Sequence, residues 1–126
     1  MKTVLLIEDD PWLGKAYTNT LVYDGKNVVI AKDMATAIDN IDEYKIDIVV
    51  LDMFLPDATG MQFLHEIKSY DDTHKIPILI CTANPGELSL KLLKPYGVLT
   101  ILDKAKLTPR GLVKAVDEVT VDAKGK

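Results

Sequence analysis

Five short apolar runs alternate with amphipathic stretches along the chain, and this alternation constrains the fold more than any other feature of the sequence. The runs are rich in Val, Ile and Leu with little polar alternation, which is typical of parallel strands covered on both faces. We predict strands at Thr3–Ile7, Asn27–Ala31, Ile46–Leu51, Ile76–Cys81 and Val98–Leu102. Five successive βα units predict an α/β fold of three layers, with a parallel sheet between two layers of helices.

The stretches between the strands place apolar residues at helical spacing. Asp10-Pro11 and Thr108-Pro109 both read as an N-cap followed by a proline in the first helical position, and Asp33 is a further N-cap. The predicted helical faces are Leu13, Tyr17 and Leu21, then Met34, Ile38 and Ile41, then Phe63, Leu64 and Ile67, and last Leu112, Val116 and Val119, with a weaker helix over Gly86–Leu93.

Length and charge limit the classes of protein that the chain can belong to. Its 126 residues suit one domain, which we place at residues 1–126. The net charge of −4 argues against a nucleic-acid-binding surface on this domain. The single cysteine, Cys81, cannot form an internal disulfide. No signal-peptide or membrane-spanning pattern is evident, so we expect a cytoplasmic protein without membrane contact.

Charged and hydroxyl side chains stand at the ends of four predicted strands. Parallel strands bring their carboxyl ends to one edge of the sheet, where α/β proteins bind ligands. Two carboxylates about 4 Å apart repel by roughly 4 kcal/mol at an effective dielectric constant of 20. A hard divalent cation such as Mg²⁺ would offset this repulsion. The residues concerned are Glu8, Asp9 and Asp10 after the first strand, Asp52 after the third, Thr82 after the fourth and Lys104 after the fifth.

The segments IEDD, LDMFLPDATG, CTA and DKA carry a specific resemblance. Asp9 and Asp52 are 43 positions apart, Asp52 and Thr82 are 30 apart, and Thr82 and Lys104 are 22 apart. In these intervals the chain resembles the receiver domain of two-component response regulators, the flavodoxin-like phosphoacceptor family that includes the chemotaxis regulator. The resemblance runs from Thr3 to about Val121 and implies the strand order 2-1-3-4-5.

The resemblance assigns a magnesium site to the acidic side of this edge. Asp9 would bind Mg²⁺ directly, and Glu8 would act mostly through water. Asp52 would contribute a carboxylate oxygen, and the backbone carbonyl of Phe54 would be a further ligand. Asp10 is left as the cap of the first helix.

The same resemblance assigns the phosphoryl chemistry. Asp52 matches the phosphoacceptor, which attacks phosphorus to form an acyl phosphate. Lys104 would contact one phosphoryl oxygen as a point charge, and the Thr82 hydroxyl would donate to another. Phosphoryl transfer depends on positioning and charge neutralisation, which these residue types can supply.

The implied function is a phosphorylation-dependent signalling receiver and not an enzyme. Its phosphoryl donor would be a partner sensor histidine kinase or phosphotransfer protein, and its target an unidentified downstream protein. By resemblance, the output surface lies around the fourth helix, fifth strand and fifth helix, and phosphorylation-dependent homodimers are a further expectation.

The chain departs from the family pattern in three respects. Ile101 stands where relatives have an aromatic residue, so coupling between Thr82 and that position should be weaker. Ala105 stands where relatives have a proline after the lysine, usually in a cis peptide bond. Phe54 and Asn84 rim the site, and a bulky Phe54 would restrict attacking water.

Three other functions remain open at this point. A flavin- or nucleotide-binding domain of the same fold would need a Gly-rich or hydroxyl-rich turn after the first strand, where this chain has EDDPW. A phosphatase with an aspartyl nucleophile would carry D-x-D there. A receiver-like module that signals through protein contacts without phosphorylation would not need the acceptor set of Asp9, Asp52, Thr82 and Lys104. Taken singly, Lys104 could also be a solvated surface lysine.

Overall fold

A five-stranded parallel sheet forms the middle layer of the computed structural model, which describes residues 2–70 and 75–124, with side chains as far as Val119. The strand order is β2-β1-β3-β4-β5, and every neighbouring pair is parallel. This confirms the predicted fold class and strand order. The strands are β1 Thr3–Ile7, β2 Asn27–Ala31, β3 Ile48–Asp52, β4 Ile78–Thr82 and β5 Val98–Asp103.

The first two strands match their predicted bounds, whereas the others differ at their ends. Both β3 and β4 begin two residues later than predicted and end one residue later. Pro77 has no N–H to donate, so the ladder of β4 starts after it. At the other end the ladder runs past the apolar residues to Asp52 and Thr82. Two of the predicted site residues, Asp52 and Thr82, are therefore the last residues of their strands.

Helices cover both faces of the sheet, and the predicted N-caps Asp10 and Asp33 are confirmed, whereas the caps of the third and fourth helices, Thr59 and Ser89, were not predicted. Asp10 Oδ1 accepts from the N–H groups of Trp12 and Leu13, at 2.9 and 3.3 Å. Asp33 Oδ1 accepts from Thr36 N at 2.8 Å. Within the described ranges no helix is long and apolar enough to cross a membrane. The helices are α1 Pro11–Tyr23, α2 Met34–Glu43, α3 Gly60–Lys68, α4 Leu90–Leu93 and α5 Pro109–Lys124.

The fourth helix is shorter than predicted. Of the range Gly86–Leu93, only Leu90–Leu93 is α-helical, with 3₁₀ turns at Pro85–Glu87 and Lys94–Tyr96 on either side. Leu88 is extended (φ −111°, ψ 147°), which breaks the helical hydrogen-bonding after the first turn. The prediction of one continuous helix was wrong because apolar spacing does not show where the backbone leaves the helical region.

Two apolar layers hold the helices against the sheet. Successive strand residues point to opposite faces, so α1 and α5 cover one set and α2, α3 and α4 the other. The α1/α5 layer contains Val4, Leu6, Leu21, Ile48, Val50, Leu79, Cys81, Leu112, Ala115, Val116 and Val119. The other layer contains Leu5, Ile7, Ala31, Ala37, Ile46, Val49, Leu51, Met53, Phe63, Leu64, Ile67, Ile78, Ile80, Leu93 and Val98.

Gly60, the first residue of α3, lies against Met53 just after β3. A Cβ on Gly60 would come within 2.5 Å of the Met53 sulfur and 2.9 Å of its Cα, and backbone cannot yield as a flexible side chain can. We expect Gly60→Ala to lower the free energy of unfolding by about 1–3 kcal/mol, as overpacking does. Urea unfolding would measure it, with Gly86→Ala as control because a Cβ there meets nothing within 4 Å. Equal stabilities of the two variants would contradict the prediction.

Candidate functional site

Three carboxylates meet at the carboxyl edge of the sheet. One oxygen each from Glu8, Asp9 and Asp52 lies within 4.8 Å of the others. Glu8 and Asp52 are 3% and 5% exposed, whereas Asp9 is open to solvent. The cluster thus has a buried floor of two acids and one acid facing outward.

Strand pairing explains why these acids meet although they are far apart in sequence. The last pair of the β1–β3 ladder is Ile7 with Leu51, so Glu8 and Asp52 follow side by side. Glu8 N also donates to Ala31 O of β2 at 2.9 Å, which fixes the backbone beyond β1. Asp10 N donates to Glu8 Oε2 at 3.2 Å. The start of α1 therefore holds the buried carboxylate in place.

Lys104 joins the cluster from the end of β5. Its Nζ lies 2.7 Å from Glu8 Oε1 and 3.1 Å from Asp52 Oδ2, and its side chain is only 16% exposed. The backbone N–H of Lys104 donates to Thr82 O at 2.9 Å, so β4 positions it. Lys104 is therefore not a solvated surface lysine. Sequence reasoning missed the close Glu8–Lys104 pair, because those residues are 96 positions apart and nothing local links them.

Burial and pairing shift the ionisation of this pair. Burial raises the pKa of Glu8, and the hydrogen bond from Lys104 only partly counters this. Burial by itself would lower the pKa of Lys104, but the hydrogen bond and charge of Glu8, together with the charge of Asp52, raise it overall. Lys104 therefore carries its positive charge at neutral pH, and it is the internal counter-ion of the two buried acids.

Thr82 and Phe54 complete the set of residues singled out by the sequence. Thr82, 2% exposed, ends β4, and its Oγ1 accepts from Asn84 N at 3.3 Å. Phe54 N donates to Asp52 Oδ1 at 3.1 Å, so the chain folds tightly around the acid. The Phe54 ring stands at the rim in an exposed position. The structure brings all the predicted residues to one edge, and the roles assigned to them remain predictions.

Two of the departures from the family pattern, Ala105 and Ile101, occupy unstrained positions in the structure. The structure has no cis peptide bond among the described residues, so the Lys104–Ala105 bond is trans. Ile101 is half-buried and packs against the apolar layer under α2, α3 and α4. No aromatic ring therefore stands beside Thr82 from this strand position.

The donor set suits a hard divalent cation. Three carboxylates against one ammonium leave an excess of negative charge, and all the converging donors are oxygens. Mg²⁺ prefers oxygen ligands and is commonly shared between protein carboxylates and a phosphate group. The residues present therefore fit the ion that the resemblance implies.

The sequence of residues 4–117 matches the response regulator receiver domain. The chain belongs to this family. Among solved structures, the receiver is similar to the chemotaxis protein CheY4 of Vibrio cholerae, with a TM-score of 0.83 at 25% identity, covering 94% of this chain and 98% of that one. It also resembles a CheY-like receiver domain protein of Methanospirillum hungatei, with a TM-score of 0.84 at 20% identity, covering 99% and 98%.

Longer regulators contain similar sequences. The transcriptional regulatory protein CpxR of Escherichia coli (strain K12) is 34% identical over 88 residues, which is 70% of this chain and 36% of that protein. The probable transcriptional regulatory protein TcrX of Mycobacterium tuberculosis is 37% identical over 81 residues, which is 64% of this chain and 34% of that protein. The match therefore spans about a third of the length of these relatives.

Proposed function

We propose that the receiver accepts a phosphoryl group on Asp52, with Mg²⁺, from a partner histidine kinase or phosphotransfer protein. The observation that carries this proposal is the convergence of a buried Asp52 with Glu8, Asp9, Thr82 and Lys104 at one edge of the sheet. A carboxylate nucleophile, an excess of negative charge for a cation and two groups able to contact phosphoryl oxygens are what the transfer requires.

In the proposed step an Asp52 carboxylate oxygen attacks phosphorus. A new O–P bond forms, and the bond from phosphorus to the donor's imidazole nitrogen breaks, with its electron pair leaving on that nitrogen. Lys104 Nζ, which lies 3.1 Å from Asp52 Oδ2, would then contact a negatively charged phosphoryl oxygen. The Thr82 hydroxyl would donate to another oxygen.

Glu8, Asp9, Asp52 and the Phe54 carbonyl would hold the metal. When bound, Mg²⁺ would neutralise charge on these carboxylates and on the phosphoryl group. Glu8 sits deepest and already pairs with Lys104, whereas Asp9 is accessible from solvent. Asp9 is thus the acid best placed to take up a cation directly.

A small acyl phosphate would test the proposal without any partner. Protein incubated with the acyl phosphate and Mg²⁺ should gain the mass of one phosphoryl group, and the adduct should be labile to base, as an acyl phosphate is. Without the metal the gain should be much slower. Intact-mass spectrometry distinguishes the two. A protein that stays unmodified under all conditions would favour the alternative of a receiver-like module that works without phosphorylation.

The signalling output belongs to the same proposal. The receiver would act on a downstream protein, or on further domains of a longer regulator, through the surface of α4, β5 and α5. Phosphorylation-dependent homodimers on that surface are part of it. The named relatives are transcriptional regulators, but we assign no nucleic-acid contact to this acidic domain. We place it in the cytoplasm, where the phosphoryl donors of two-component systems act.

Mg²⁺ is expected to stabilise the receiver, because an ion that binds only the folded state shifts the unfolding equilibrium. Millimolar Mg²⁺ should add about 1–3 kcal/mol to the free energy of unfolding, visible as a rise in Tm. Asp9→Asn should reduce this gain. Asp39→Asn is the matched control, since it removes an exposed acid from α2, away from the site. A Tm that is the same with and without Mg²⁺ would contradict the magnesium assignment.

Thr82 is expected to transmit phosphorylation to the loop that follows β4. Its Oγ1 accepts a hydrogen bond from Asn84 N in the loop. If the same hydroxyl also donated to a phosphoryl oxygen, its movement would shift the position of that loop. The phosphoryl mimic beryllofluoride should alter amide hydrogen exchange mainly over residues 82–93, with less change in β5 because Ile101 is not aromatic. Thr82→Ala should weaken the response and Thr82→Ser should retain it. The same response in all three proteins would show that Thr82 is not the relay.

A further inference from the structure

The segment between β3 and α3 folds into a small closed loop. Its two ends run antiparallel and are tied by backbone contacts at three levels, with Pro56 and Asp57 at the tip. The contacts are Gly60 N to Met53 O at 2.8 Å, the Phe54–Thr59 bridge, and Leu55 N to Ala58 O at 3.2 Å. A displacement of the tip is therefore transmitted to the base, where Phe54 N bonds the Asp52 carboxylate.

Asp57 fastens the tip of this loop to α2. Its Oδ1 accepts from Met34 N at 2.9 Å and its Oδ2 from Ala35 N at 3.1 Å. Asp33 already caps α2 by accepting from Thr36 N. Two carboxylates from separate parts of the chain thus satisfy the first three N–H groups of the helix, which would otherwise lack partners. The helix dipole favours both negative charges at this end.

We propose that Asp57 is a positioning residue for the phosphoacceptor site, a role that rests on the proposed function. By clamping the loop tip onto α2, it holds the Phe54 backbone in the place where the carbonyl would bind Mg²⁺. The anchor is firm because α2 is seated in the apolar layer through Ala37, which is fully buried. A bidentate, charge-assisted contact orients the loop better than a single neutral hydrogen bond.

The clamp differs from an ordinary helix cap in what it connects. Asp33 is adjacent to α2, so losing its carboxylate affects the helix alone. Asp57 lies 23 residues from Met34. Losing its carboxylate would detach the loop between β3 and α3 from α2 and would also weaken the N-terminus of the helix. The two acids therefore give a matched pair of variants, since both weaken the N-terminus of α2 and only one frees the loop.

Calorimetric titration with Mg²⁺ would test the proposal on the intact chain. Asp57→Ala should weaken Mg²⁺ binding about tenfold, the lower end of what loss of a supporting group costs a metal site. The rate of phosphorylation by a small acyl phosphate should need more Mg²⁺ for half-saturation, while its maximum at saturating metal changes little. Asp57→Asn, which keeps one oxygen acceptor, should lie between Asp57→Ala and the unmodified protein.

Two controls separate positioning from charge and from stability. Asp39 and Asp57 line one groove between α2 and α3. Asp39→Ala removes an equal charge from this groove and should leave Mg²⁺ affinity within about twofold, as screened surface charges do. Asp33→Ala should destabilise α2 and leave Mg²⁺ affinity nearly unchanged. Unchanged Mg²⁺ affinity in Asp57→Ala, or an equal loss in Asp33→Ala, would overturn the positioning role while the proposed function stands. A wild-type protein that neither binds Mg²⁺ nor takes up phosphate would overturn both.

Discussion

Asp52→Asn is expected to abolish uptake of the phosphoryl group from a small acyl phosphate. The amide has nearly the same shape as the carboxylate but is not a nucleophile, so the loss should be essentially complete. Intact-mass spectrometry of the variant beside the wild type would measure it. The exposed-acid variant Asp39→Asn should be modified as fast as wild type.

The result can be read only if the variant remains folded, and the structure indicates that it will. Asp52 raises the pKa of Glu8 through repulsion between the two carboxylates, so removing its charge relieves this repulsion in the buried floor. The amide side chain of the variant would still offer an oxygen to Lys104. We expect unchanged circular dichroism and a similar melting curve without Mg²⁺. Base-labile modification of Asp52→Asn at the wild-type rate would rule out Asp52 as the acceptor.

Lys104→Ala is expected to cause the largest loss of stability, about 3 kcal/mol in the absence of divalent metal. The substitution leaves Glu8 and Asp52 buried with no positive partner, and breaking a buried pair typically costs about 3–5 kcal/mol. Urea unfolding at pH 7 would measure the loss. Burial already raises the pKa of Glu8 in the folded state, and an unpaired Glu8 favours its protonated form still more. Because the folded variant then binds a proton more readily than the unfolded chain does, its stability rises as the pH falls. The loss of stability relative to the wild type should therefore shrink as the pH falls toward 4.5.

Two companions make the Lys104 prediction specific. Glu8→Gln in the Lys104→Ala background should recover part of the stability, because it removes one of the two unpaired charges. Mg²⁺ should stabilise Lys104→Ala more than wild type, because a cation would replace the missing ammonium. Lys106→Ala, which alters an exposed lysine two residues away, should change stability by less than about 0.5 kcal/mol. If Lys104→Ala and Lys106→Ala were equally stable, the ion pair would contribute nothing to the fold.

The sequence predicts the layers, the strand order and the site edge because each depends on signals that are local or periodic, or on family resemblance. Buried parallel strands need unbroken apolar runs, and β1 and β2 have the predicted bounds. N-caps need short acceptors beside the helix, and Asp10 and Asp33 act as caps. Strand order came from the resemblance, since five similar apolar runs do not by themselves choose their neighbours.

The boundaries of α4 show where local signals fail. The sequence predicts one weak helix over Gly86–Leu93, yet the backbone is extended at Leu88 and turns again only after Ser89. A four-residue helix gains little from its own hydrogen bonds, because most of the nucleation cost falls on so short a segment. Contacts with the rest of the molecule then decide its shape.

The sequence by itself located the carboxyl end of each strand to within one residue, and so indicated which side chains reach the site edge. Only the tertiary structure decided their partners. Lys104 pairs most closely with Glu8, 96 positions away in the chain. Asp57, in the loop between β3 and α3, caps α2 at Met34, 23 positions away. Such pairings depend on angles and distances between elements, which the packing of the apolar layers sets. A one-dimensional pattern carries the order of the elements along the chain but not these distances.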